Sequence, residues 1–439
     1  MKILIKGVTV IPVTGPADVI RDGAVAVDGG EIVYVGPSAQ IPGGFEADKV
    51  IGGPEMVALP GLINAHTHAA MTLFRSYADD LPLMKWLQEA IWPLEAKLKA
   101  EDVYWGTLLA CSEMLLGGTT AFADMYFFMD QVAEAVAQSG IRASLSRGLI
   151  GVARGAGKAL KESREFVLNW HGKANRRITC MLGPHAPYTC PPDYLKKVIE
   201  LAEELGVGVH IHLAETRQEI EDIQKQYGCS PVALVAKTGL LDLPVLAAHC
   251  VHLSPEDIAI LAEKGTAVVH NPESNMKLAS GIAPVTKLLK AGVTVGLGTD
   301  GAASNNNLDM LEEMRSAALL QKVANEDPEA LPAYTTLEMA TIGGARALGL
   351  GDKIGTLEAG KRADIILLNL RKPHLYPPHD VVAHVVYAAR AGDVDTVIVD
   401  GEVVVEAGRL LTVDLDAVLD SARRCALRLV GRPKERSLL

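Results

Sequence analysis

The chain has 439 residues, too long for one small core, and suits a large barrel with a satellite domain or two to three ordinary domains. Apolar residues make up 49% and aromatics only 5%, so the core is expected to be aliphatic, as in sheets covered by helices on both faces. A net charge of −11 disfavours nucleic acid, whose phosphates need a basic surface, and no apolar run approaches the roughly 20 residues that span a bilayer.

The first run, KILIKGVTVIPV, reads as a strand rather than a leader, because prolines and acids follow it at once. GAVAVDGGEIVYVG adds strands around a Gly-Gly hairpin signal, and ADIILLNL and VDTVIVDGEVVVEAGRLL near the other end share that texture. Between them, short apolar runs alternate with helix-period segments. Eight runs read as strands: MVALPGLINAH, TTAFADM, IRASLSRGLI, RITCMLGPH, GVGVHIHLAE, PVLAAHC, TAVVHN and VTVGLGTD. Helices are expected over Glu101–Leu116, closed by Gly117-Gly118, and over Pro192–Leu205, closed by Gly206.

Eight β-then-α units in about 290 residues suit a (β/α)8 barrel, for which about 250 is typical. The expected fold is therefore α/β: a TIM-type barrel over 57–352, with a small β-sandwich domain built from both chain ends, 1–56 and 353–439. No G-x-G-x-x-G or Walker A loop follows the first strand, which argues against a doubly wound sheet. Six cysteines without a C-x-x-C pair fit a reduced, cytoplasmic protein.

A barrel carries its chemistry at the C-terminal ends of its strands. Those ends bear His66, His68, Asp124, Arg147, His185, His212, His249, His270 and Asp300, which takes up half of the twelve histidines. His66 and His68 are two apart, so they point to one side of a strand and can converge on one ion. A lone H-x-H also fits two satisfied polar residues, and a second one occurs at His210 and His212. Of that pair only His212 lies at the strand tip; His210 falls one layer deeper, as a core histidine. Glu215, three residues on, can meet the hydrolytic water or the substrate as a general acid or base. Three histidines with Asp300 suit a catalytic zinc that keeps a position open for water, and His249 stands ready to orient that water or stabilise an oxyanion.

PGLINAHTH, HLAE, AAHC and GTDG, in this order and with a terminal GTLEAGKRAD, resemble the metal-dependent amidohydrolase superfamily in its mononuclear deaminase branch. HTHAAMTLFRSYADDLPLMKWLQEAIWPLE and HNPESNMKLASGIAPV are most similar to the 5-methylthioadenosine/S-adenosylhomocysteine deaminases. The resemblance implies one divalent metal, zinc or ferrous iron, on His66, His68, His212 and Asp300. Binuclear relatives use a lysine after the fourth strand, where MLGPHAPYT has none. It also implies that Glu215 handles the proton of the ring nitrogen, that His249 assists the water, and that Glu95, Arg147 and His185 contact substrate. Glu95 would clamp two ribose hydroxyls, and Trp86 and Trp92 would cover the thioether. From residues alone, the favoured reading of Glu95 is an exposed helix acid paired with Lys99 at i,i+4, and Arg147 fits equally well as a salt-bridged rim residue.

The implied reaction is hydrolytic deamination of an adenine nucleoside thioether to an inosine-type product and ammonia. Competing readings are another ring deaminase (guanine, cytosine or a pterin), a triazine hydrolase, and a non-catalytic binding barrel. A carboxylate at Glu215 favours an amine leaving group, since chloride needs no proton. A homo-oligomer acting on a small molecule, away from membranes and nucleic acid, is the expected form. Asp124 and His270 receive no role beyond structure.

Overall fold

A computed structural model of the protein describes residues 1–431; the last stretch of the expected terminal domain, 432–439, lies outside the described residues. Eight parallel strands form the barrel: β1 (Leu62–Thr67), β2 (Thr119–Tyr126), β3 (Arg142–Leu149), β4 (Ile178–Pro184), β5 (Val209–Leu213), β6 (Val245–His249), β7 (Ala267–His270) and β8 (Val295–Leu297). They neighbour one another in sequence order. All eight residues of TTAFADMY in β2 and all five of VHIHL in β5 are buried, as strands lined on both faces require. At the seam between β8 and β1, the Asp300 amide donates to the His66 carbonyl at 3.0 Å.

The outer layer includes α1 (Ala100–Leu116), α2 (Ala156–Trp170), α3 (Pro192–Leu205), α4 (Pro272–Lys277) and α5 (Met310–Asn325). α1 ends at Gly117-Gly118, and α3 ends at Gly206 with φ +64°, the left-handed cap that glycine adopts without strain.

Nine strands from the two chain ends form one connected mixed sheet. Met56–Pro60, expected to open the barrel, belongs to this sheet instead. It runs parallel to Lys2–Val10 and antiparallel to Ile365–Asn369, and so stitches the two ends together. The chain crosses into the barrel at Gly61, where a Cβ would stand 2.0 Å from the Thr120 hydroxyl oxygen. Only a residue without a side chain fits there, so the proline-glycine signal marks a domain crossing rather than a turn within one strand.

Arg142, at the start of β3, fastens the barrel floor to the sheet. Its Nε and Nη2 donate to Asp364 at 2.8 and 3.0 Å, and Nη2 also reaches Asp400 at 3.2 Å. The Arg142 and Asp364 side chains are almost fully buried. Removing the guanidinium leaves buried carboxylates uncompensated, so Arg142→Leu should destabilise the chain by about 3–5 kcal/mol. Loss of the exposed Arg164–Glu204 pair, by Arg164→Ala, should cost less than about 1 kcal/mol. Urea unfolding of both variants checks the contrast, and equal midpoints would show that the domains are held by apolar packing alone.

Candidate active site

Period-2 alternation brings His66 and His68 to the same side of β1's end, with ring centroids 4.9 Å apart. Across the barrel mouth, His212 near the end of β5 places Nε2 3.2 Å from His68 Nε2. Asp300, three residues past β8, holds Oδ1 at 3.3 Å from His68 Nε2 and 3.5 Å from His66 Nε2. A tetrahedral ion with ligand bonds of roughly 2.0–2.1 Å has edges of about 3.3 Å between ligand atoms. These three separations match such edges, and His66, His68 and Asp300 form one set whose ligand atoms all lie within 4.8 Å of one another. His249 borders the same cluster: His66, His212 and His249 also bring ligand atoms within 4.8 Å of one another.

The hydrogen bonds fix which nitrogens face the centre. His68 Nδ1 lies 2.7 Å from the Met125 carbonyl and His212 Nδ1 lies 2.8 Å from the His185 carbonyl. A carbonyl only accepts, so both Nδ1 atoms carry protons and both Nε2 atoms present lone pairs to each other. His66 Nδ1 meets His210 Nε2 at 2.8 Å, His210 Nδ1 meets the Ser146 hydroxyl at 3.4 Å, and Ser146 donates to the Asp124 carbonyl at 2.8 Å. His66 Nε2 is buried and, among the described residues, has no hydrogen-bond partner. Burial lowers the pKa of His66 to about 4 and holds His212 well below the usual imidazole range. Burial opposes ionisation of Asp300, but the neighbouring His66 and His68 outweigh it and keep its carboxyl far below the usual range. Three lone pairs and one carboxylate converging in a buried space are satisfied by a divalent cation. The residues present therefore fit a metal.

Backbone strain concentrates at the same tips: His249 has φ +73° and Asp300 φ +61°, a left-handed conformation that non-glycine residues adopt only when their surroundings enforce it. For Asp300 the enforcement is visible. Asn64 in β1 bonds both the amide (2.9 Å) and the hydroxyl (2.7 Å) of Thr299, while Asn305 donates to the Thr299 carbonyl at 2.8 Å.

Above the cluster opens a cavity of about 360 Å³, within the size range of small-molecule sites. Its floor carries His68, His185, His212, Glu215, His249 and Asp300. Leu83, Trp86, Leu87, Ile91 and Trp92, from the long connection between β1 and α1, form an apolar wall with Phe127, Ile150 and Val152. Glu95 closes that wall. Burial raises its carboxyl pKa, partly offset by the nearby Tyr126 hydroxyl. The expectation of an exposed acid paired with Lys99 is thus not met, because Glu95 faces the cavity. Glu215 is buried at the floor with its pKa raised by burial. Its amide donates to Glu219 at 2.8 Å and its Oε1 accepts from Ser280 at 3.2 Å. His249 Nε2 stands 3.9 Å from Glu215 Oε2.

Two expected site residues stand apart from the cavity wall. His66 lies beneath the floor, fully buried, as a residue at the centre of the cluster must. Arg147 points outward from β3: its guanidinium pairs with Glu162 of α2 and with the Gly148 carbonyl, while the next residue, Gly148, lines the cavity. Asp124 accepts from the Ala69 amide at 2.7 Å and so holds the chain just past His68; burial raises its pKa to about 6. His270 is buried with neither ring nitrogen partnered among the described residues, and burial drops its pKa to about 3. Tyr126, Tyr188, Ser274, Asn275 and Ser280 were not singled out from the sequence. Tyr126 is the last residue of β2, and Tyr188 lies four residues past the end of β4. The others follow His270 and carry no spacing that marks them.

Residues 57–404 match the amidohydrolase family. The chain is 64% identical to the 5-methylthioadenosine/S-adenosylhomocysteine deaminase of Desulforudis audaxviator, over 98% of this chain and 99% of that protein. Among solved structures, an adenosine deaminase from Xanthomonas campestris with bound zinc superposes with a TM-score of 0.94 at 41% identity, covering 97% of this chain and 98% of that one. Atrazine chlorohydrolase from Arthrobacter aurescens, complexed with zinc, gives 0.90 at 28% identity, covering 97% and 100%.

His210 accepts the His66 Nδ1 proton, so His210→Ala should weaken zinc about 10–100-fold, the usual effect of losing a group that orients a ligand. Chelator competition measures it; unchanged affinity would mean that β1 alone orients His66.

Proposed function

We propose, for a chain that belongs to the amidohydrolase family, hydrolytic deamination of the adenine ring of 5′-methylthioadenosine and S-adenosylhomocysteine. The chain is a metal-dependent hydrolytic deaminase, and its 64% identical relative carries that substrate pair in its name. One observation carries the chemical reading: a buried carboxyl, Glu215, whose pKa burial raises, opens onto the same cavity floor as the His/Asp cluster. Such a group can hold a proton and deliver it to a ring nitrogen, which an amine leaving group requires.

His66, His68, His212 and Asp300 would hold one divalent ion, zinc by the chemistry of an N3O donor set. Bound there, it acts as a Lewis acid that makes hydroxide available near neutral pH, lowering the pKa of water from about 15.7 to about 7. Glu215 gives its proton to N1 of the adenine ring, which makes C6 electrophilic. His249 Nε2, facing Glu215 Oε2, steadies the attacking oxygen. After addition at C6, the carboxylate of Glu215 takes the proton of the added hydroxyl group and passes it to the exocyclic amine. The C6–N bond breaks, ammonia leaves and the ring keeps a carbonyl. Glu95, on the opposite wall, accepts from the two ribose hydroxyls, and His185, its pKa lowered by burial to about 4, bonds base or ribose as a neutral imidazole. Trp86 and its apolar neighbours cover the thioether. The six cysteines are all free, which supports a reducing, cytoplasmic setting.

A triazine hydrolase is the second reading, carried by the superposition on atrazine chlorohydrolase. Ammonia release across adenine nucleosides, guanine, cytosine and triazines separates the two. Turnover of a triazine with silence on every adenosine derivative would overturn the first.

Glu215→Gln should retain about one zinc per chain while kcat falls by about 10²–10⁴, the range for a lost acid–base group; near-normal turnover would remove the proton role. Glu95→Ala should raise KM for ribosides by about tenfold or more and leave the free base unaffected, as expected for a lost charge-assisted hydrogen bond of about 1.5–3 kcal/mol. Equal effects on both would remove the ribose clamp.

A further inference from the structure

β7 ends in a histidine with no assigned part in the chemistry, yet the stretch that follows touches Asp300, His249 and Glu215. Ser274 and Asn275 are consecutive in α4. Successive helical residues project about 100° apart, so the two reach different strand tips. Ser274 Oγ donates to Asp300 Oδ2 at 2.7 Å. Asn275 Oδ1 lies 2.9 Å from His249 Nδ1. One turn later, Ser280 Oγ donates to Glu215 Oε1 at 3.2 Å. All three side chains are buried.

Each bond selects a state. Asn275 Oδ1 can only accept, so His249 keeps its proton on Nδ1 and turns Nε2 toward Glu215. Asp300 Oδ2 is occupied by Ser274 and by Ser304, also at 2.7 Å, which leaves Oδ1 to face His66 and His68. Ser280 occupies Glu215 Oε1 and leaves Oε2 facing His249.

The stretch is itself held at several points. The Ser280 amide donates to the Asn275 carbonyl at 2.9 Å and the Ser280 carbonyl accepts from His252 Nε2 at 2.7 Å. Lys277 Nζ reaches Asp79 at 2.6 Å and the Ala303 carbonyl at 3.2 Å. Ala279 at φ +51° and Gly281 at φ +131° bend the chain back so that Ser280 returns to the floor.

We propose that Ser274, Asn275 and Ser280 form a single positioning unit that sets the hydrogen-bonded states of Asp300, His249 and Glu215 together. None of the three touches substrate; they act through the groups they hold. The proposal rests on the roles given above to those three groups, and predicts that the unit's members are energetically coupled although their targets sit on three different strands.

The test uses the zinc-loaded full chain with 5′-methylthioadenosine. Asn275→Leu, which keeps the branching at Cγ but loses the acceptor, should lower kcat about a hundredfold with KM within about twofold, the pattern of a group felt in the transition state. Asn275→Asp retains an acceptor oxygen and should recover to within about tenfold of the parent. Ser274→Ala, which loosens Asp300, should weaken zinc about tenfold in chelator competition, while Asn275→Leu and Ser280→Ala leave zinc affinity unchanged. The double variant Asn275→Leu/Ser280→Ala should lose much less than the product of the single losses.

Normal kcat in Asn275→Leu, a loss confined to KM, no recovery in Asn275→Asp, unchanged zinc in Ser274→Ala, or multiplicative singles would each overturn the unit. If Asn275→Leu does not fold, Asn275→Asp and Ser280→Ala carry the comparison, with thermal unfolding as the check. Glu215→Gln separates the two levels. Full turnover there removes the chemical reading on which the unit depends, whereas an inactive Glu215→Gln beside a normal Asn275→Leu removes the unit alone.

Discussion

One backbone hydrogen bond governs the geometry of the site: the amide of Asp300 donates to the carbonyl of His66 across the β8–β1 seam. It joins the first and last strands at the two residues whose side chains must meet. β8 is only three residues long, so its ladder cannot position a group three residues beyond its end. The Thr299 clamp from Asn64 and Asn305 does so instead, and forces Asp300 into a left-handed backbone. A residue with that φ turns its side chain back over the barrel mouth rather than continuing the strand outward. The strain of one residue, of order 1–3 kcal/mol, is spread over several buried hydrogen bonds that each contribute about 1 kcal/mol.

Burial then decides the protonation pattern. Burial holds His66 and His212 well below the ordinary imidazole range, whereas at His249 the neighbouring Glu215 and Asp300 carboxylates outweigh burial and raise it. Neutral imidazoles have one donor and one acceptor nitrogen, so fixing the donor fixes the ligand. The carbonyls of Met125 and His185 do this for His68 and His212. For His66 the choice travels farther, through His210 and Ser146 to the carbonyl of Asp124. A second H-x-H on β5 thus has a physical reason: its outer histidine faces His68 in the His/Asp cluster, and its inner one sets the tautomer of a histidine on β1. That inner position is the core histidine expected from the sequence, with a task added by its neighbours.

Much of this was legible in the residues. Eight short apolar runs separated by helix-period segments are a barrel's own pattern, and glycines marked the ends of α1 and α3. The His/Asp cluster was readable because strand ends are the one place where a barrel exposes side chains to a common point. Two features resisted. Met56–Pro60 and Leu62–Thr67 read as one apolar run because both are buried on both faces; only the steric demand of Thr120 on Gly61 divides them. Arg147 sits at a strand end but on the wrong parity: Ser146 and Gly148 face inward, so Arg147 must face α2. Ser274, Asn275 and Ser280 were hidden for a different reason. Serine and asparagine after a strand look like helix caps, and only the tertiary fold shows that their side chains reach Asp300, His249 and Glu215 instead.

The cavity divides by origin. Its floor comes from strand ends and from the α4 stretch, regions locked by buried hydrogen bonds and unable to shift without disturbing several partners at once. Its apolar wall comes mainly from the β1–α1 connection, where Leu83, Trp86, Leu87, Ile91 and Trp92 pack side chain against side chain. Dispersion and burial are not directional, so such a wall tolerates changes of shape that the floor does not. Glu95 is the exception within the wall, a carboxylate among apolar groups, and its raised pKa records the cost of placing it there. A charge held against that cost needs donors from the ligand, and a pair of vicinal hydroxyls supplies two. On the proposed reading, selection of the sugar falls to Glu95, selection of the tail to the apolar shape around it, and the hydrolysis to a floor that neither can readily alter.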